Sequence, residues 1–274
     1  MEIELGRVGI WRHADGLTAE LAAEIERLGY GTIWIGGSPD GDLALAQQLL
    51  DATSRISIAT GIVNMWTADA GEVAQSWRRV THNHPGRFLL GVGVGHPEAT
   101  EEYQRPYDKI TTYLDELDDA GVPVGDRVLA ALGPNVLRLA AERARGAHPY
   151  LTTPRHTARA REIVGPEVLL APEQKIVLAT DPQQARQQAR PSVEPYLNLR
   201  NYVNSLLRLG YTEEDVQDGG SDWLIDALAL HGDADTIAIG LNAHLEAGAD
   251  HVCVQALEND PLPTYTAIAA AMQL

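Results

Sequence analysis

Short apolar runs alternate with amphipathic segments along the whole chain. Eight runs have the length and β-branched content typical of buried strands: 8–11, 32–35, 56–63, 88–94, 128–132, 147–151, 175–179 and 251–257. Apolar residues follow at helical spacing, as with Leu17, Leu21 and Ile25, and further helices are predicted over 43–50, 135–145, 154–164, 181–209 and 236–246. Continuous apolar strands that each precede a helix predict a parallel sheet with both faces covered.

Eight strand–helix units in 274 residues predict an α/β fold of the (β/α)₈ TIM-barrel class, forming one domain over 1–274. An open, doubly wound sheet is the alternative for the same pattern. The connection over about 196–232 is too long for a plain barrel helix and contains the turn-rich stretch Asp218–Gly219–Gly220–Ser221. We therefore expect a helical insertion after the seventh strand.

Composition narrows the class of partner. The formal net charge is −17, which disfavours nucleic acid and anionic membranes and leaves a small-molecule substrate as the expected partner. The single cysteine, Cys253, excludes an internal disulfide. The chain shows neither a signal-peptide pattern nor an uninterrupted apolar run of about 18 residues, so we expect a cytoplasmic protein.

Glycines collect where the predicted strands end. They are Gly36, Gly37, Gly61, Gly93, Gly95 and Gly133. Catalytic and ligand-binding groups of a barrel lie at this end of its strands, and glycine there would let a flat ligand approach the backbone. The alternative is that these glycines only bend the strands or belong to ordinary loops.

Possible anion donors lie at two predicted helix starts. Thr152 and Thr153 precede Pro154 and Arg155, and Gly133 precedes another proline. Free N–H groups at a helix N-terminus bind phosphate. Ordinary capping of the helix by threonine explains the same residues equally well.

Several catalytic motifs are absent from the sequence, which leaves histidines as candidate acids or bases. His82 and His84 lack a third ligand at metal-binding spacing, and Cys253 lies inside a predicted strand, where an inert thiol is expected. We therefore predict no metal site. His13 and His96 follow predicted strands and could exchange a proton near neutral pH; each could instead be structural or solvated.

The residues at the strand ends resemble the luciferase-like monooxygenase superfamily, and within it the oxidoreductases that use the deazaflavin coenzyme F420. The resembling segments are Thr60–Gly61–Ile62–Val63–Asn64, Pro85–Gly86–Arg87–Phe88–Leu89–Leu90–Gly91–Val92–Gly93, Ala130–Ala131–Leu132–Gly133–Pro134 and Gly248–Ala249–Asp250–His251–Val252–Cys253–Val254. The resemblance implies a barrel with a ring-shaped cofactor at its mouth, a cis peptide bond at Gly61–Ile62 and a homodimer.

Strand ends and resemblance together predict a cofactor site. Its ring side comprises Gly37, Gly61, Ile62, Asn64, Gly93 and Gly95, and its phosphate side comprises Ala131, Leu132, Gly133, Thr152, Thr153 and Arg155. The chain departs from the deazaflavin-dependent sugar-phosphate dehydrogenases, because Gly37 and Ser38 replace an Asp-His pair and His96 replaces an acidic residue. The substrate must therefore differ from theirs.

Three functions remain open at this level. The first is hydride transfer between coenzyme F420 and an organic substrate, with His96 and His13 as proton carriers. The second is a monooxygenase that uses FMN, with a dry pocket lined by residues such as Trp11, Trp34 and Met65. The third is a non-catalytic homologue that only binds a ligand. Titration with both cofactors distinguishes the three.

Overall fold

Strands and helices alternate along the chain in a computed structural model that describes residues 3–95 and 105–274. The strands are β1 Val8–His13, β2 Thr32–Gly36, β3 Ser57–Gly61, β4 Val63–Asn64, β5 Phe88–Gly93, β6 Arg127–Leu129, β7 Gly146–Ala147, β8 Leu169–Leu170, β9 Glu173–Val177, β10 Ala229–His231 and β11 Val252–Ala256. The helices are α1 Ala19–Arg27, α2 Ala44–Asp51, α3 Ala70–Asn83, α4 Pro106–Asp119, α5 Pro134–Arg143, α6 Pro154–Val164, α7 Pro182–Leu197, α8 Arg200–Arg208, α9 Asp222–Leu228, α10 Ala234–Glu246 and α11 Leu262–Met272. Each predicted strand run overlaps one of these strands.

The sheet closes into a barrel through the chain between β8 and β9. Only Ala171 and Pro172 separate these two strands. The Ala171 amide donates to the Ala147 carbonyl beside β7 at 2.9 Å, and the Cys253 amide of β11 donates to the Pro172 carbonyl at 2.8 Å. Since β11 also pairs with β1, the parallel strands form a ring. The predicted (β/α)₈ fold is confirmed, and the open sheet is wrong.

Burial on both faces of the sheet explains the continuous apolar runs. Ile10 and Ile33 point outward and pack against the helices, whereas Trp11 and Trp34 point into the barrel with Leu89. All five side chains are at most 4% exposed. Successive residues of one strand therefore enter two different cores, and neither face can carry polar residues freely.

Two helices begin at the carboxyl-terminal mouth of the barrel. The N-cap of α5 is Gly133 and that of α6 is Thr153, and each helix has a proline in its first turn. Proline fits this position because its missing N–H would have had no partner within the helix. The free N–H groups of both helix starts consequently point toward the mouth.

The predicted sixth strand is shorter in the structure. The run 147–151 was expected to be extended, but β7 ends at Ala147 and Leu151 adopts a left-handed conformation with φ of 56°. The Leu151 amide instead donates to the buried Glu173 carboxylate at 2.9 Å. The chain thus turns sharply before Thr152 and leads directly into α6.

The segment after β9 is helical and has its own apolar core. The predicted helix over 181–209 is divided at Asn198 into α7 and α8, and α9 and β10 follow. Side chains of these helices form a cluster around Val193, Leu206 and Leu224, which also includes Leu151. That the segment 196–232 is an insertion stays a prediction. No helix within the described ranges 3–95 and 105–274 is long and apolar enough to cross a membrane.

Candidate active site

One side of the barrel mouth is formed by β1, β2 and β3 and is filled by an indole ring. Trp11 is 4% exposed, and its Nε1 donates to the Gly61 carbonyl at 3.2 Å. A Cβ atom on Gly36 would lie 2.0 Å from Trp11 Cζ2, and one on Gly61 would lie 2.9 Å from Trp11 Nε1. Both glycines are therefore required for the indole to lie across the strands.

His13 stands at the rim above the indole. Its ring centroid is 5.5 Å from that of Trp11, in an edge-to-face arrangement. Gly37 has a positive φ of 77°, and a Cβ there would lie 2.3 Å from His13 Nδ1. The structure thus brings together His13 and Gly37 from the predicted site, with the exposed imidazole at the entrance.

The floor next to Trp11 contains the peptide bond that the resemblance singled out. The Gly61–Ile62 bond is cis. Asn64 lies just beyond it, with its Oδ1 accepting from the Trp66 amide at 3.0 Å. A Cβ on Gly95 would be 2.9 Å from Asn64 Nδ2. The residues predicted for the ring side therefore lie together at the ends of β3, β4 and β5.

Most of the strand-end glycines are adjoined by side chains of the chain itself. Gly36 and Gly61 make room for Trp11, Gly37 makes room for His13, and Gly93 faces Ile62 and Ala130. A flat ligand in this mouth would therefore contact the chain's own aromatic and aliphatic side chains. Gly133 is the exception, because the nearest heavy atom to a Cβ there would be Arg208 Nη2 at 3.9 Å.

The adjoining side of the mouth, at β7, β9 and β11, contains ionised groups. Glu173 and Lys175 are fully buried and form an ion pair with an N–O distance of 3.1 Å. Lys175 Nζ also donates to Gln255 Oε1 at 3.1 Å and lies 4.0 Å from the centroid of the Tyr150 ring. The Tyr150 hydroxyl donates to the same Gln255 Oε1 at 2.9 Å. Four side chains, from β9, β11 and the loop after β7, thus form one connected polar group.

Burial controls the protonation of this polar group. Loss of solvent raises the pKa of Tyr150 well above its ordinary value, and the negative charge of Glu173 acts in the same direction. Burial also raises the pKa of Glu173 and lowers the pKa of Lys175, while the charge of each opposes the shift of the other. Tyr150 therefore keeps its proton at neutral pH.

The predicted phosphate residues lie together at the starts of α5 and α6. Thr153 caps α6 by accepting from the His156 amide at 3.4 Å, whereas the buried Thr152 Oγ1 has no hydrogen-bond partner among the described residues. The Leu132 carbonyl accepts from His156 Nε2 at 2.9 Å, which fixes the chain beside Ala131. Gly133 leaves its surroundings open.

Three exposed arginines lie on α6 and α8 near these helix starts. Arg159 Nη1 donates to the Arg208 carbonyl, and a Cβ on Gly210 would lie 3.3 Å from Arg155 Nη1. Arg208 reaches Gly133 from α8. Within residues 3–95 and 105–274, no carboxylate forms an ion pair with any of the three arginines. This basic patch of Arg155, Arg159 and Arg208 is notable in a chain whose net charge is −17.

Beneath the mouth, the barrel interior contains neutral histidines. His148 Nδ1 bonds the Ala171 carbonyl at 2.7 Å, and its ring stacks on Trp34 with 4.2 Å between centroids. Trp34 Nε1 donates to His251 Nε2 at 3.0 Å. Burial raises the pKa of the Cys253 thiol well above its ordinary value, which agrees with the expected inert cysteine.

Two further points concern the predicted residues. His96 lies outside the residues that the structure describes. A cavity of about 410 Å³ lies on the outer side of the β2–α2 loop, and Gly37 and Ser38 contribute to its wall. The polar group of Tyr150, Lys175 and Gln255 does not line this cavity.

Sequence reasoning missed Glu173, Lys175 and Arg208 as site residues. A lysine within an otherwise apolar strand run was an available signal for Lys175, because a buried strand rarely contains an unpaired charge. Nothing in the sequence marked Arg208, since it comes near Gly133 only through the packing of α8.

Comparison with known proteins supports the resemblance to luciferase-like monooxygenases over less than half of the chain. The family model described as luciferase-like monooxygenase matches residues 7–120. No protein of curated function matches the sequence significantly.

Solved structures resemble the whole chain in fold. An F420-dependent secondary alcohol dehydrogenase in complex with an F420–acetone adduct is 14% identical, with a TM-score of 0.77 over 100% of this chain and 99% of that chain. The coenzyme F420-dependent tetrahydromethanopterin reductase from Methanopyrus kandleri is 16% identical, with a TM-score of 0.73 over 100% and 99%. The oxygenating constituent of 3,6-diketocamphane monooxygenase from Pseudomonas putida, in complex with FMN, is 16% identical, with a TM-score of 0.65 over 96% of both chains.

Proposed function

The chain resembles the luciferase-like monooxygenase superfamily in sequence over residues 7–120 and in fold over its whole length, and on that premise we propose that it is an oxidoreductase of this class. The proposed reaction is hydride transfer between coenzyme F420 and an organic substrate at the mouth of the barrel. The cofactor would supply the hydride chemistry. The protein would bind and orient the cofactor and the substrate, and it would exchange the proton.

The basic patch beside the two helix starts is the observation that carries the choice of cofactor. The tail of F420 bears a phosphodiester and glutamate carboxylates, whereas FMN ends in one phosphate. Thr152 offers a buried hydroxyl without a partner within the described part of the chain, and Gly133 leaves space beside it. Arg155 and Arg208 extend the positive charge outward, which suits a tail with several negative charges.

On the ring side of the mouth, a flat cofactor ring would pack against side chains. Trp11 and His13 lie side by side above Gly36 and Gly37, and Ile62 is 9% exposed at the cis peptide. We place the ring of the cofactor against these side chains. His13 stands at the entrance and is the proposed proton carrier, together with His96 as predicted from sequence.

A binding titration with both cofactors tests the proposal, read by quenching of their fluorescence. We expect F420 to bind at micromolar concentration and more tightly than FMN. Arg208→Gln should weaken F420 binding about tenfold, because it removes one charge-assisted contact. Arg7→Gln is the matched control, since Arg7 is also exposed but precedes β1 at the other end of the barrel. Equal binding of F420 by both variants would exclude the basic patch as the tail site.

A second measurement tests the histidines. His13→Ala and His96→Ala should each retain cofactor binding and lower the rate of F420 oxidation or reduction about 100-fold if they carry the proton. Unchanged turnover in either variant removes that histidine from the mechanism.

The FMN-dependent monooxygenase remains the second candidate, and one observation favours it. Trp11 and Ile62 are 9% exposed or less and are apolar groups at the mouth, which would protect an oxygen-reactive flavin from water. Tight FMN binding without F420 binding reverses the ranking. Absence of binding by either cofactor at micromolar concentration supports the non-catalytic homologue.

Assembly and location remain predictions. We propose a homodimer, which light scattering in solution measures directly, and a cytoplasmic location, which cell fractionation tests. The substrate is proposed only as a small organic molecule.

A further inference from the structure

Two hydrogen-bond donors converge on one carbonyl oxygen inside the mouth. The Tyr150 hydroxyl lies 2.9 Å and Lys175 Nζ lies 3.1 Å from Gln255 Oε1. The oxygen they share belongs to an amide at the end of a long, half-buried side chain. Lys175 and Gln255 are register partners on β9 and β11, so the strands fix the place of convergence.

We propose that Tyr150 and Lys175 bind the carbonyl or hydroxyl oxygen of the substrate, and that the Gln255 amide occupies this position in the free protein. The substrate would then be a carbonyl compound, or the alcohol that corresponds to it. This inference rests on the proposed function, because it assigns a substrate class to the same mouth.

The surroundings of the two donors suit an oxygen on which negative charge develops. Lys175 is held by Glu173 at 3.1 Å, so its position does not depend on Gln255. The ammonium also lies 4.0 Å from the centroid of the Tyr150 ring. A cation in a buried site stabilises an alkoxide, or the phenolate left after proton transfer, more strongly than it would in water. The high pKa of Tyr150 keeps the phenol protonated before reaction.

The step balances in atoms and charge. In the direction of reduction, the carbonyl carbon gains a hydride with its electron pair from the reduced deazaflavin. The carbonyl oxygen gains the hydroxyl proton of Tyr150, and the C=O double bond becomes a C–O single bond. The substrate is reduced, the deazaflavin is oxidised, and Tyr150 then takes a proton from water. The oxidation of an alcohol follows the reverse path.

Substitution of Gln255 distinguishes a binding site for carbonyl groups from a polar network that is only structural. Removal of the competing amide in Gln255→Ala should open the position, so that acetamide binds the cofactor-free protein about tenfold more tightly than it binds the wild type. Binding is measured by nuclear magnetic resonance titration. The gain should disappear in the double variant Gln255→Ala/Tyr150→Phe. Absence of a gain, or a gain that persists in the double variant, would overturn the inference without bearing on cofactor binding.

The loaded protein provides the second test, with reduced F420 and the ketones acetone and cyclohexanone as probes. Tyr150→Phe should lower the rate of ketone reduction about 100-fold while the Kd for F420 stays unchanged, because the phenol acts as a general acid. The wild type should also show a solvent isotope effect that the variant lacks. Tyr202→Phe is the matched control, since Tyr202 is also a buried tyrosine, with its ring centroid 5.0 Å from that of Tyr196. Equal rates in both variants, or a wild type that binds F420 and reduces neither ketone, would overturn the assignment.

Discussion

Two sides of the barrel mouth differ in which substitutions they tolerate. One lies at β2 and β3, and the other lies at β9 and β11. Gly36 and Gly61 leave room for Trp11, and any added atom there would collide with the indole. Glu173 and Lys175 are fully buried charged residues, and each is the ion-pair partner of the other. The first side is therefore limited by volume, whereas the second is limited by the pairing of polar groups.

The largest expected effect comes from acid, which acts on buried histidines inside the barrel and in the helical layer around it. Burial lowers the pKa of His148 and of His251 from 6.5 to about 4, and of His244 from 6.5 to about 3. The unfolded chain therefore binds these protons first. The folded state keeps its full stability above about pH 6.5, and each histidine removes about 1.4 kcal/mol per pH unit as the pH falls toward its folded pKa.

Local geometry explains why the folded protein resists these protons. His148 Nε2 is buried without a partner within the described residues, and His251 Nε2 already accepts from Trp34 Nε1. A proton on either nitrogen would find no acceptor. Urea unfolding between pH 8 and about 4.5 measures the slope. A free energy of unfolding that stays flat over this range would show that these histidines take up protons in the folded state as readily as in the unfolded chain.

The second largest effect is expected from breaking the buried ion pair. Lys175→Met leaves the Glu173 carboxylate buried and unpaired, which should lower the free energy of unfolding by about 3–5 kcal/mol. The double variant Glu173→Gln/Lys175→Met should recover most of this loss, because a glutamine oxygen can still accept from the Leu151 amide. Denaturant unfolding of both variants gives the comparison. Equal losses in the single and double variants would mean that pairing is not what limits this side.

The volume limit predicts a smaller loss at Gly36. Gly36→Ala places a Cβ only 2.0 Å from Trp11 Cζ2. Overpacking of this kind lowers the free energy of unfolding by about 1–3 kcal/mol. The control is Gly125→Ala, because a Cβ there meets no heavy atom within 4 Å. Trp11→Phe should make Gly36→Ala less costly, since the smaller ring leaves room for the methyl group. Additive losses in the double variant would contradict a direct collision.

Much of the fold was predictable because burial on both faces leaves a strong pattern. The eight apolar runs each overlap a strand, and the Thr–Pro signal predicted the start of α6 at Pro154. The missed elements have weak patterns. The strand β10 spans only Ala229–His231, and α11 over Leu262–Met272 is rich in alanine and apolar on most sides, which gives it little amphipathic contrast.

The sequence predicted where the candidate site lies but not which side chains contact one another there. Strand ends indicated where the glycines would gather, yet they could not show that Trp11 and His13 fill the space above them. Those contacts depend on the register between β1, β2 and β3. In the same way, Gln255 meets Lys175 only through the pairing of β11 with β9, across 80 positions of sequence.

The smallest expected effect on stability separates two adjacent threonines. Thr153→Val removes the cap of α6 and should lower the free energy of unfolding by about 1 kcal/mol. Thr152→Val should leave stability unchanged or slightly raise it, because the buried Thr152 hydroxyl has no partner to lose within the described residues and valine has nearly the same shape. Cofactor binding should respond in the opposite order, since an unpartnered donor at the start of a helix is available to an anion. Titration of both variants with F420, alongside denaturant unfolding, measures the two effects in the same proteins. If Thr152→Val lowers stability as much as Thr153→Val and leaves binding unchanged, the Thr152 hydroxyl is structural and the anion site must lie elsewhere on the patch.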